Sequence, residues 1–317
     1  MNGSGYRTEE LCLVVADSGP TMTSSDRHLS FVGITTIDIV QIADEVPEPN
    51  QKGWAHHAYL DVGGPAANAA ITASVLGSRV SLHSVFGTGL LGDLVSGLID
   101  RHGVRRVRYG DDLDVPVSSI WVAAASGDRT LLSTAASFEG PQPDRGDLGD
   151  AAAVLFDGFY PALARSAARA AAERKIPVVL DCGTWREVFV ALLPLASVAI
   201  VSQQFGFPDR PAATPEEIIA RLIDEYQVRF AAMSRGGDSV VWATRADSGR
   251  LAVPQVAAVD TLGAGDVLHG AFMHFAFHRG LDDVAALDRA VEVAARSCEH
   301  FGTRAGVVAW VGKDSDA

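Results

Sequence analysis

The chain has 317 residues, of which 48% are hydrophobic and 7% aromatic, and its formal net charge is −13. Nucleic acids and anionic membrane surfaces are bound by clustered lysine and arginine side chains, so this charge argues against both partners. The three cysteines, Cys12, Cys182 and Cys298, are isolated, which predicts neither a disulfide framework nor a metal cluster. Neither a signal peptide nor a membrane-length apolar run stands out, and we expect a cytoplasmic protein.

In chain order, the predicted elements begin after a polar segment at 1–27, which we expect to be a poorly ordered extension. The domain at 28–313 starts with a strand at 28–37, a hairpin-like segment at 38–60, a helix at 64–76, a strand at 79–86, a helix at 90–101 and a β-rich segment at 115–125. Buried strands at 153–156, 176–181, 197–202 and 228–234 then alternate with helices at 163–173 and 215–226. This alternation predicts an α/β fold whose mostly parallel central sheet is covered by helices on both faces.

A turn of small residues near the C-terminus carries the strongest chemical signal. Gly263, Ala264 and Gly265 precede Asp266, and the apolar run at 267–277 predicts a buried helix from there. Backbone N–H groups at such a helix start can bind an anion closely. A carboxylate there would repel a phosphate unless it accepts a proton, so we interpret Asp266 as a general base and the turn as an anion hole for a transferring phosphoryl group. The alternative is an aspartate that only caps the helix.

Two earlier segments predict an acceptor site. Gly63 and Gly64 precede Asn68, and Asp38 follows the first predicted strand. Glycines permit unusual backbone angles or the close approach of a ligand, while Asn68 and Asp38 can hydrogen-bond neighbouring hydroxyl groups. The alternative is an ordinary turn ahead of a helix at the glycines, and a turn or cap acid at Asp38.

Together these segments resemble the ribokinase-like (pfkB) carbohydrate kinase family. Residues 260–266 resemble its C-terminal signature and residues 61–70 its N-terminal sugar-binding signature, and Asp38 stands where the family has a substrate-binding aspartate. The resemblance spans about Leu29 to about Trp310. It implies a ribokinase-like fold with a small β-sheet lid, from segments near 38–60 and 107–125, over the sugar. It also implies transfer of phosphate from ATP, with Mg²⁺, to a hydroxymethyl group of a ketose or sugar acid.

The resemblance extends to the nucleotide side. Ser234, Gly236 and Ser239 lie in a small-residue segment that would cradle the nucleotide phosphates, with Ser202 ahead of them. The base would lie near the helix around 290–300. A plain hairpin turn is the alternative interpretation of the segment at 234–239.

Three further expectations come from the family. Arg129 would reach over the acceptor from the lid, unless it is simply a solvated side chain. A monovalent cation such as K⁺ would lie near Asp260 and Arg304. A homodimer would form through the lid.

Two positions depart from the family pattern. Ser202-Gln203-Gln204-Phe205 replaces the Asn-x-x-Glu motif that organises Mg²⁺ through water, so we predict no protein ligand for the metal carried by ATP. Gly89 stands where an aspartate is usual, which predicts an altered acceptor.

Rival interpretations remain open at this level. One is a nucleoside kinase of the same fold, and another is a non-catalytic sugar-binding or regulatory relative, motivated by the missing Asn-x-x-Glu. The run at 87–92 also matches the dinucleotide-binding pattern G-x-G-x-x-G, with Asp111 and Asp112 further on, though two kinase signatures compete with it. His269, His274 and His278 share one predicted helix and could bind a metal, although core or surface positions fit them better.

Overall fold

The computed structural model describes residues 27–45, 47–110, 112–124, 129–134, 141, 143 and 147–314. The predicted extension at 1–27 therefore lies, except for Arg27, outside the described residues. The strands are β1 His28–Val32, β2 Thr36–Ala43, β3 His57–Gly63, β4 Arg79–Ser84, β5 Arg105–Arg108, β6 Val117–Ala123, β7 Arg129–Ser133, β8 Ala151–Phe156, β9 Val178–Cys182, β10 Val198–Ser202, β11 Phe230–Arg235, β12 Asp238–Thr244 and β13 Ser248–Leu251. The helices are α1 Pro65–Val75, α2 Gly89–Asp100, α3 Pro161–Glu173, α4 Phe189–Leu192, α5 Pro215–Asp224, α6 Ala264–Met273, α7 Asp283–Ser297 and α8 Ala305–Asp314.

A nine-stranded sheet forms the centre of the molecule, in the order β13-β12-β11-β10-β9-β8-β1-β4-β5. All neighbours from β11 to β5 pair in parallel, and only β12 and β13 run antiparallel at one edge. Apart from the edge strand β5, which carries three arginines, the parallel strands are short and largely buried on both faces, as strands between two helical layers must be. The predicted mostly parallel sheet is confirmed.

Two helical layers cover this sheet. Helices α1, α2, α6, α7 and α8 pack on one face, and α3, α4 and α5 pack on the other. Successive residues of a strand point to opposite faces. In β9, Val179 belongs to the core beneath α1 and α6, and Leu180 to the core beneath α3. Asp181, two residues after Val179, therefore faces the layer that contains α6.

A separate four-stranded sheet, in the order β3-β2-β6-β7, forms the lid. The predicted hairpin is the antiparallel pair β2–β3, and β2 pairs in parallel with β6. One face of the lid carries Asp38, Ser118 and Ser133, which are aligned by the register of β2, β6 and β7. The second lid segment starts at Val117, later than predicted, because β5 pairs with β4 in the large sheet.

The strand predicted at 28–37 is in fact two strands in different sheets. The chain leaves the large sheet at Gly33, where an added Cβ would lie 2.1 Å from the Asp157 carboxyl group. The next backbone N–H, that of Ile34, donates to Asp157 Oδ2 at 2.9 Å. Strand β1 therefore ends because of the contact with Asp157, which lies more than a hundred positions away in the sequence. No local turn signal in the sequence marks this end of the strand. Among the described residues, no helix is both long and apolar enough to cross a membrane.

Candidate active site

A cavity of about 370 Å³, the lid pocket, lies between the lid and the large sheet. Two carboxylates, Asp38 and Asp266, face it. Its other lining residues include polar side chains from α1 and the lid, apolar side chains, and glycines of two turns: Thr36, Asn68, Ser118, Ser133, Thr134, Ile120, Leu131, Phe159, Tyr160, Gly64 and Gly263. The predicted acceptor residues Asp38, Gly64 and Asn68 thus line the same cavity as Asp266, the predicted base.

Asp266 lies in the first turn of α6, behind Gly263. Gly263 has φ of 74°, a left-handed angle that glycine adopts readily, and an added Cβ would lie 2.7 Å from Thr303. Burial raises the pKa of Asp266 to about 7, helped by the negative charge of Asp181, while the Asn68 hydrogen bond and His269 act to lower it. A carboxyl group that is half ionised near neutral pH suits a general base.

Asn68 on α1 holds the Asp266 carboxylate directly. Its Nδ2 donates to Asp266 Oδ2 at 2.7 Å across 198 positions of sequence. Helices α1 and α6 approach closely because Gly270 lacks a side chain: an added Cβ would lie 2.3 Å from the Ala69 carbonyl oxygen and 2.7 Å from Thr72 Cβ. Asn68 was predicted to bind hydroxyl groups of the acceptor. In the structure it lines the lid pocket, and its amide also binds the carboxylate of Asp266, the predicted base.

Asp38 projects from β2 into the lid pocket. Thr36 donates to its Oδ1 at 2.6 Å, and burial raises the pKa of Asp38 while Thr36 and Arg304 oppose that rise. Gly63 does not line the pocket, but an added Cβ there would lie 2.0 Å from Asp38 Oδ2. Gly63 therefore leaves room for this carboxylate. Gly64 is the N-cap residue of α1 and has φ of 93°, and an added Cβ there would lie 2.5 Å from the Ile34 carbonyl oxygen.

Arg304 is bound next to Asn68. Its guanidinium donates to Asp61, to the Val62 carbonyl oxygen, and to Asn68 Oδ1 at 3.2 Å. Because a guanidinium can only donate hydrogen bonds, the amide oxygen of Asn68 faces Arg304. The amide nitrogen of Asn68 therefore faces Asp266.

The predicted monovalent cation site near Asp260 is surrounded by oxygens that accept hydrogen bonds. Asp260 accepts from Leu262 N at 2.8 Å and from Gly302 N at 3.0 Å, and the Leu262 carbonyl oxygen accepts from Thr303 at 3.2 Å. Arg304, itself a cation, cannot be a ligand. Each of these oxygens accepts one protein hydrogen bond and keeps a further lone pair. A requirement for K⁺ stays a prediction.

A second cavity of about 270 Å³, the hairpin pocket, lies on the other side of the α6 turn. It is lined by the β11–β12 turn, the α6 turn and α7, through Ser234, Gly236, Gly237, Thr261, Ala264, Gly265, Val291, Ala294, Ala295 and Cys298. Of the predicted nucleotide residues, Ser234 and Gly236 line it. The segment at 234–239 forms the β11–β12 hairpin turn of the alternative interpretation, and its role as a cradle for nucleotide phosphates stays a prediction.

Two other residues predicted for the nucleotide do not line the hairpin pocket. The Ser202 hydroxyl lies 2.6 Å from the Gly183 carbonyl oxygen and accepts from Gln204 N at 3.0 Å. Ser239 Oγ accepts from Arg235 at 3.1 Å. Arg129 extends from β7 and donates to Thr261 Oγ1 at 3.4 Å, so it contacts the α6 turn without lining either pocket.

The turn before α6 separates the two pockets. Leu262, Gly263 and Asp266 face the lid pocket, and Thr261, Ala264 and Gly265 face the hairpin pocket. The first N–H groups of a helix have no partner within it. Here Ala264 N donates to the Thr261 carbonyl oxygen at 3.3 Å, which makes Gly265 the better placed of these two donors for an anion.

The residues in place of Asn-x-x-Glu do not fit a hydrated metal ion. Phe205 is 2% exposed and packs with Trp185, Phe189 and Phe207, whose ring centroids lie 5.3–6.2 Å from its own. No group of three or more His, Cys, Asp or Glu side chains in the described part of the chain is arranged to hold a metal. His274 and His278 stack at 5.1 Å inside a π-helical turn, and Ser78 pairs with His274. The metal interpretation of these histidines gains no support.

Sequence reasoning missed two buried carboxylates near the base. Asp157, after β8, accepts backbone N–H groups of Ile34, Ala66 and Phe159, and burial raises its pKa to about 7 despite these bonds. Asp181 lies in β9, and burial raises its pKa too. Each acid stands at the carboxyl end of a continuous apolar strand, where ligands of parallel sheets bind. That position was the available signal.

An ionisable base between a hydroxyl-lined cavity and a second cavity, next to a glycine turn at a helix start, defines a phosphotransferase that acts on an alcohol group. The chain belongs to the pfkB family of carbohydrate kinases, whose family model, "pfkB family carbohydrate kinase", matches residues 26–310. The chain is similar to a deoxyribokinase of Salmonella typhi, 25% identical over 300 residues covering 87% of this chain and 94% of the relative. It is also similar to the ketohexokinase of Mus musculus, 23% identical over 294 residues covering 86% and 96%.

The fold is shared with solved ribokinase structures. The structure of Arabidopsis thaliana ribokinase complexed with ribose and ATP superposes with a TM-score of 0.69 at 19% identity, covering 87% of this chain and 94% of that one. At this identity the likeness establishes the fold alone. The predicted ribokinase-like fold with a separate lid sheet is confirmed.

Proposed function

We propose that the protein transfers the γ-phosphoryl group of ATP to a hydroxymethyl group of a small sugar bound in the lid pocket. Asp266 takes the hydroxyl proton while the sugar oxygen attacks the γ-phosphorus, and ADP leaves from the hairpin pocket. Charge on the transferring group is stabilised by N–H groups of the turn at Gly263, Ala264 and Gly265 at the start of α6, above all by that of Gly265, because Ala264 N already donates to the Thr261 carbonyl oxygen. The observation that carries the proposal is this one turn, with its base on one side and its small-residue donors on the other.

The lining of the lid pocket favours a neutral sugar over a sugar acid. Asp38 and Asp266 are both acidic, and Thr36, Ser118 and Ser133 supply hydroxyl groups. No basic side chain lines the pocket among the residues described. An acceptor carboxylate would therefore face like charges without a counter-ion, which is unfavourable in a partly buried site. Neutral hydroxyl groups can instead donate to Asp38.

ATP is proposed as the donor because the hairpin pocket suits a nucleotide. Ser234 and Gly236 would lie along its phosphates, and the apolar wall of α7, Val291 to Cys298, would cover its base. Mg²⁺ would arrive on the phosphates of ATP, and the residues at 202–205 do not fit a site for it. A magnesium titration of turnover tests that part of the proposal.

The experiment is ADP release measured across a panel of acceptors: fructose, 6-deoxy-6-sulfofructose, ribose, 2-keto-3-deoxygluconate and adenosine. The proposal expects turnover with a neutral sugar and little with the sugar acid. Asp266→Asn is the matched variant, expected to lose turnover by about 10² to 10⁴ while acceptor affinity changes little. Near-normal turnover in this variant would contradict the assignment of the base.

The panel also separates the rival functions. Preferential turnover of adenosine would favour a nucleoside kinase of the same fold. Acceptor binding without ADP release from any member would favour a non-catalytic sugar-binding relative. A non-catalytic relative does not need a general base. In that case the raised pKa of Asp266 would result from its burial alone and would have no catalytic role.

We also propose that two copies of the chain associate through the outer face of the lid. The face turned away from the lid pocket exposes Leu60, Trp121 and Leu132, and Leu132 is 76% exposed. Contiguous exposed apolar side chains often mark an interface. Light scattering of the wild type and of a Leu132→Glu variant tests this: a monomeric wild type would contradict the proposal.

A further inference from the structure

His269 is a buried histidine one turn beyond the base whose two ring nitrogens both meet oxygen acceptors. Only 4% of the residue is exposed. Nδ1 lies 2.7 Å from the Gly265 carbonyl oxygen, and Nε2 lies 3.1 Å from the Ile200 carbonyl oxygen on β10. Nδ1 also lies 3.5 Å from Asp181 Oδ2, which has no hydrogen-bond donor within the described structure. No donor group takes part in any of these contacts.

A carbonyl oxygen has no proton to donate, so each ring nitrogen must supply one. Neutral imidazole has a single N–H, and its other nitrogen would direct a lone pair at an oxygen lone pair. Only the imidazolium ion satisfies both contacts. We propose that His269 is a protonated, positively charged side chain in the resting protein, and that its charge keeps Asp266 available as a base at neutral pH.

The charged surroundings agree with this state. Asp157 at the end of β8 and Asp181 in β9 bring negative charge to this cluster, and Asp266 adds its own from the same helix. Arg186 brings positive charge to this cluster and interacts with both Asp157 and Asp181. Helix α1 contributes the uncharged Asn68. The negative charge that these carboxyl groups carry when they ionise is buried, and an imidazolium beside them stabilises it.

The consequence for the base follows from the sign of the charge. A neighbouring cation favours the ionised form of a carboxyl group and so lowers its pKa, whereas Asp181 and Asp157 raise the pKa of Asp266. Removing the cation should raise the pKa of Asp266 and leave less of the deprotonated base at a given pH. His269 is thus a positioning residue, which acts on the reaction only through Asp266.

The first test reads the charge directly and does not depend on the proposed kinase activity. In the wild-type protein labelled with ¹⁵N-histidine, long-range ¹H–¹⁵N spectra should show both ring nitrogens of His269 protonated at pH 7.5. The signal is assigned by its loss in His269→Asn. Burial lowers the pKa of His83 to about 4 and that of His274 to about 3, so these two should appear as neutral rings in the same spectrum. A neutral tautomer at His269 would overturn the proposal.

The second test concerns the base, and for that part the inference rests on the proposed function. The His269→Asn variant keeps a hydrogen-bond donor for the Gly265 carbonyl oxygen but removes the positive charge. In this variant the pH below which kcat/KM falls should be about one unit higher than in the wild type. At pH values below this limb kcat/KM should be about tenfold lower than in the wild type, and at high pH it should recover toward the wild-type value. An equal loss at every pH, or an unmoved limb in a variant that folds, would mean that His269 only clamps α6 to β10.

Discussion

Substituting Gly270 by alanine should disturb catalysis from a position outside both pockets. An added Cβ would lie 2.3 Å from the Ala69 carbonyl oxygen, whereas ordinary contact begins at 3.4 Å, so α1 and α6 must separate by about 1 Å. The Asn68–Asp266 hydrogen bond, now 2.7 Å, would then exceed hydrogen-bonding distance. Overpacking of this kind costs about 1–3 kcal/mol, and a shift of about 1 Å near the reacting atoms can lower turnover by about 10².

The assay combines thermal unfolding with ADP release on the best acceptor of the panel. We expect Gly270→Ala to lower Tm by roughly 2–10 °C and kcat by about 10- to 100-fold. Gly97→Ala is the matched control, since Gly97 also lies in a helix but no atom comes within 4 Å of its added Cβ. That variant should keep full turnover and gain up to about 1 kcal/mol of stability from helix propensity. Full turnover in Gly270→Ala would refute the view that helix approach positions the base.

Three further outcomes are expected. Because the pKa of Asp266 is raised to about 7 and its deprotonated form is the active one, kcat/KM should fall as pH drops through about 7; a flat profile from pH 6 to 8 would contradict this. Arg304→Lys should lower kcat by about tenfold without changing KM for ATP, because an ammonium group cannot replace the several N–H donors of the guanidinium that orient Asn68. An unchanged kcat would show that Asn68 keeps its orientation without Arg304. Phe205→Glu should cost about 3–5 kcal/mol in lost aromatic packing alone and should not strengthen dependence on Mg²⁺, as chemical denaturation and a magnesium titration would measure.

Asp266 and the turn before it could be proposed as base and anion hole from the sequence because the chemistry that suggests these roles is local. Gly263 to Asp266 are consecutive, and their meaning depends only on the helix that follows. The buried strands were predictable for a similar reason, since an apolar run of strand length between helices has few other uses.

What could not be predicted depends on contacts between distant segments. The break after β1 exists because Asp157, 124 positions beyond Gly33, occupies the space of a side chain there (157 − 33 = 124). Asn68 was predicted to face the acceptor and does line the lid pocket, but its partners, Asp266 and Arg304, follow from how α1, α6 and the C-terminal segment pack. An isolated acid at a strand end, such as Asp181, has the same local sequence whether it caps a turn or faces a catalytic group.

The lid pocket and the hairpin pocket share no lining residue, although one turn of six residues borders both. The lid pocket is built largely from residues before 161, and the hairpin pocket from residues after 233. Substitutions that remodel acceptor choice can therefore accumulate in one half of the gene while donor binding is inherited unchanged in the other. In such a scaffold related proteins would keep the same phosphate donor and would differ in the acceptor that they phosphorylate.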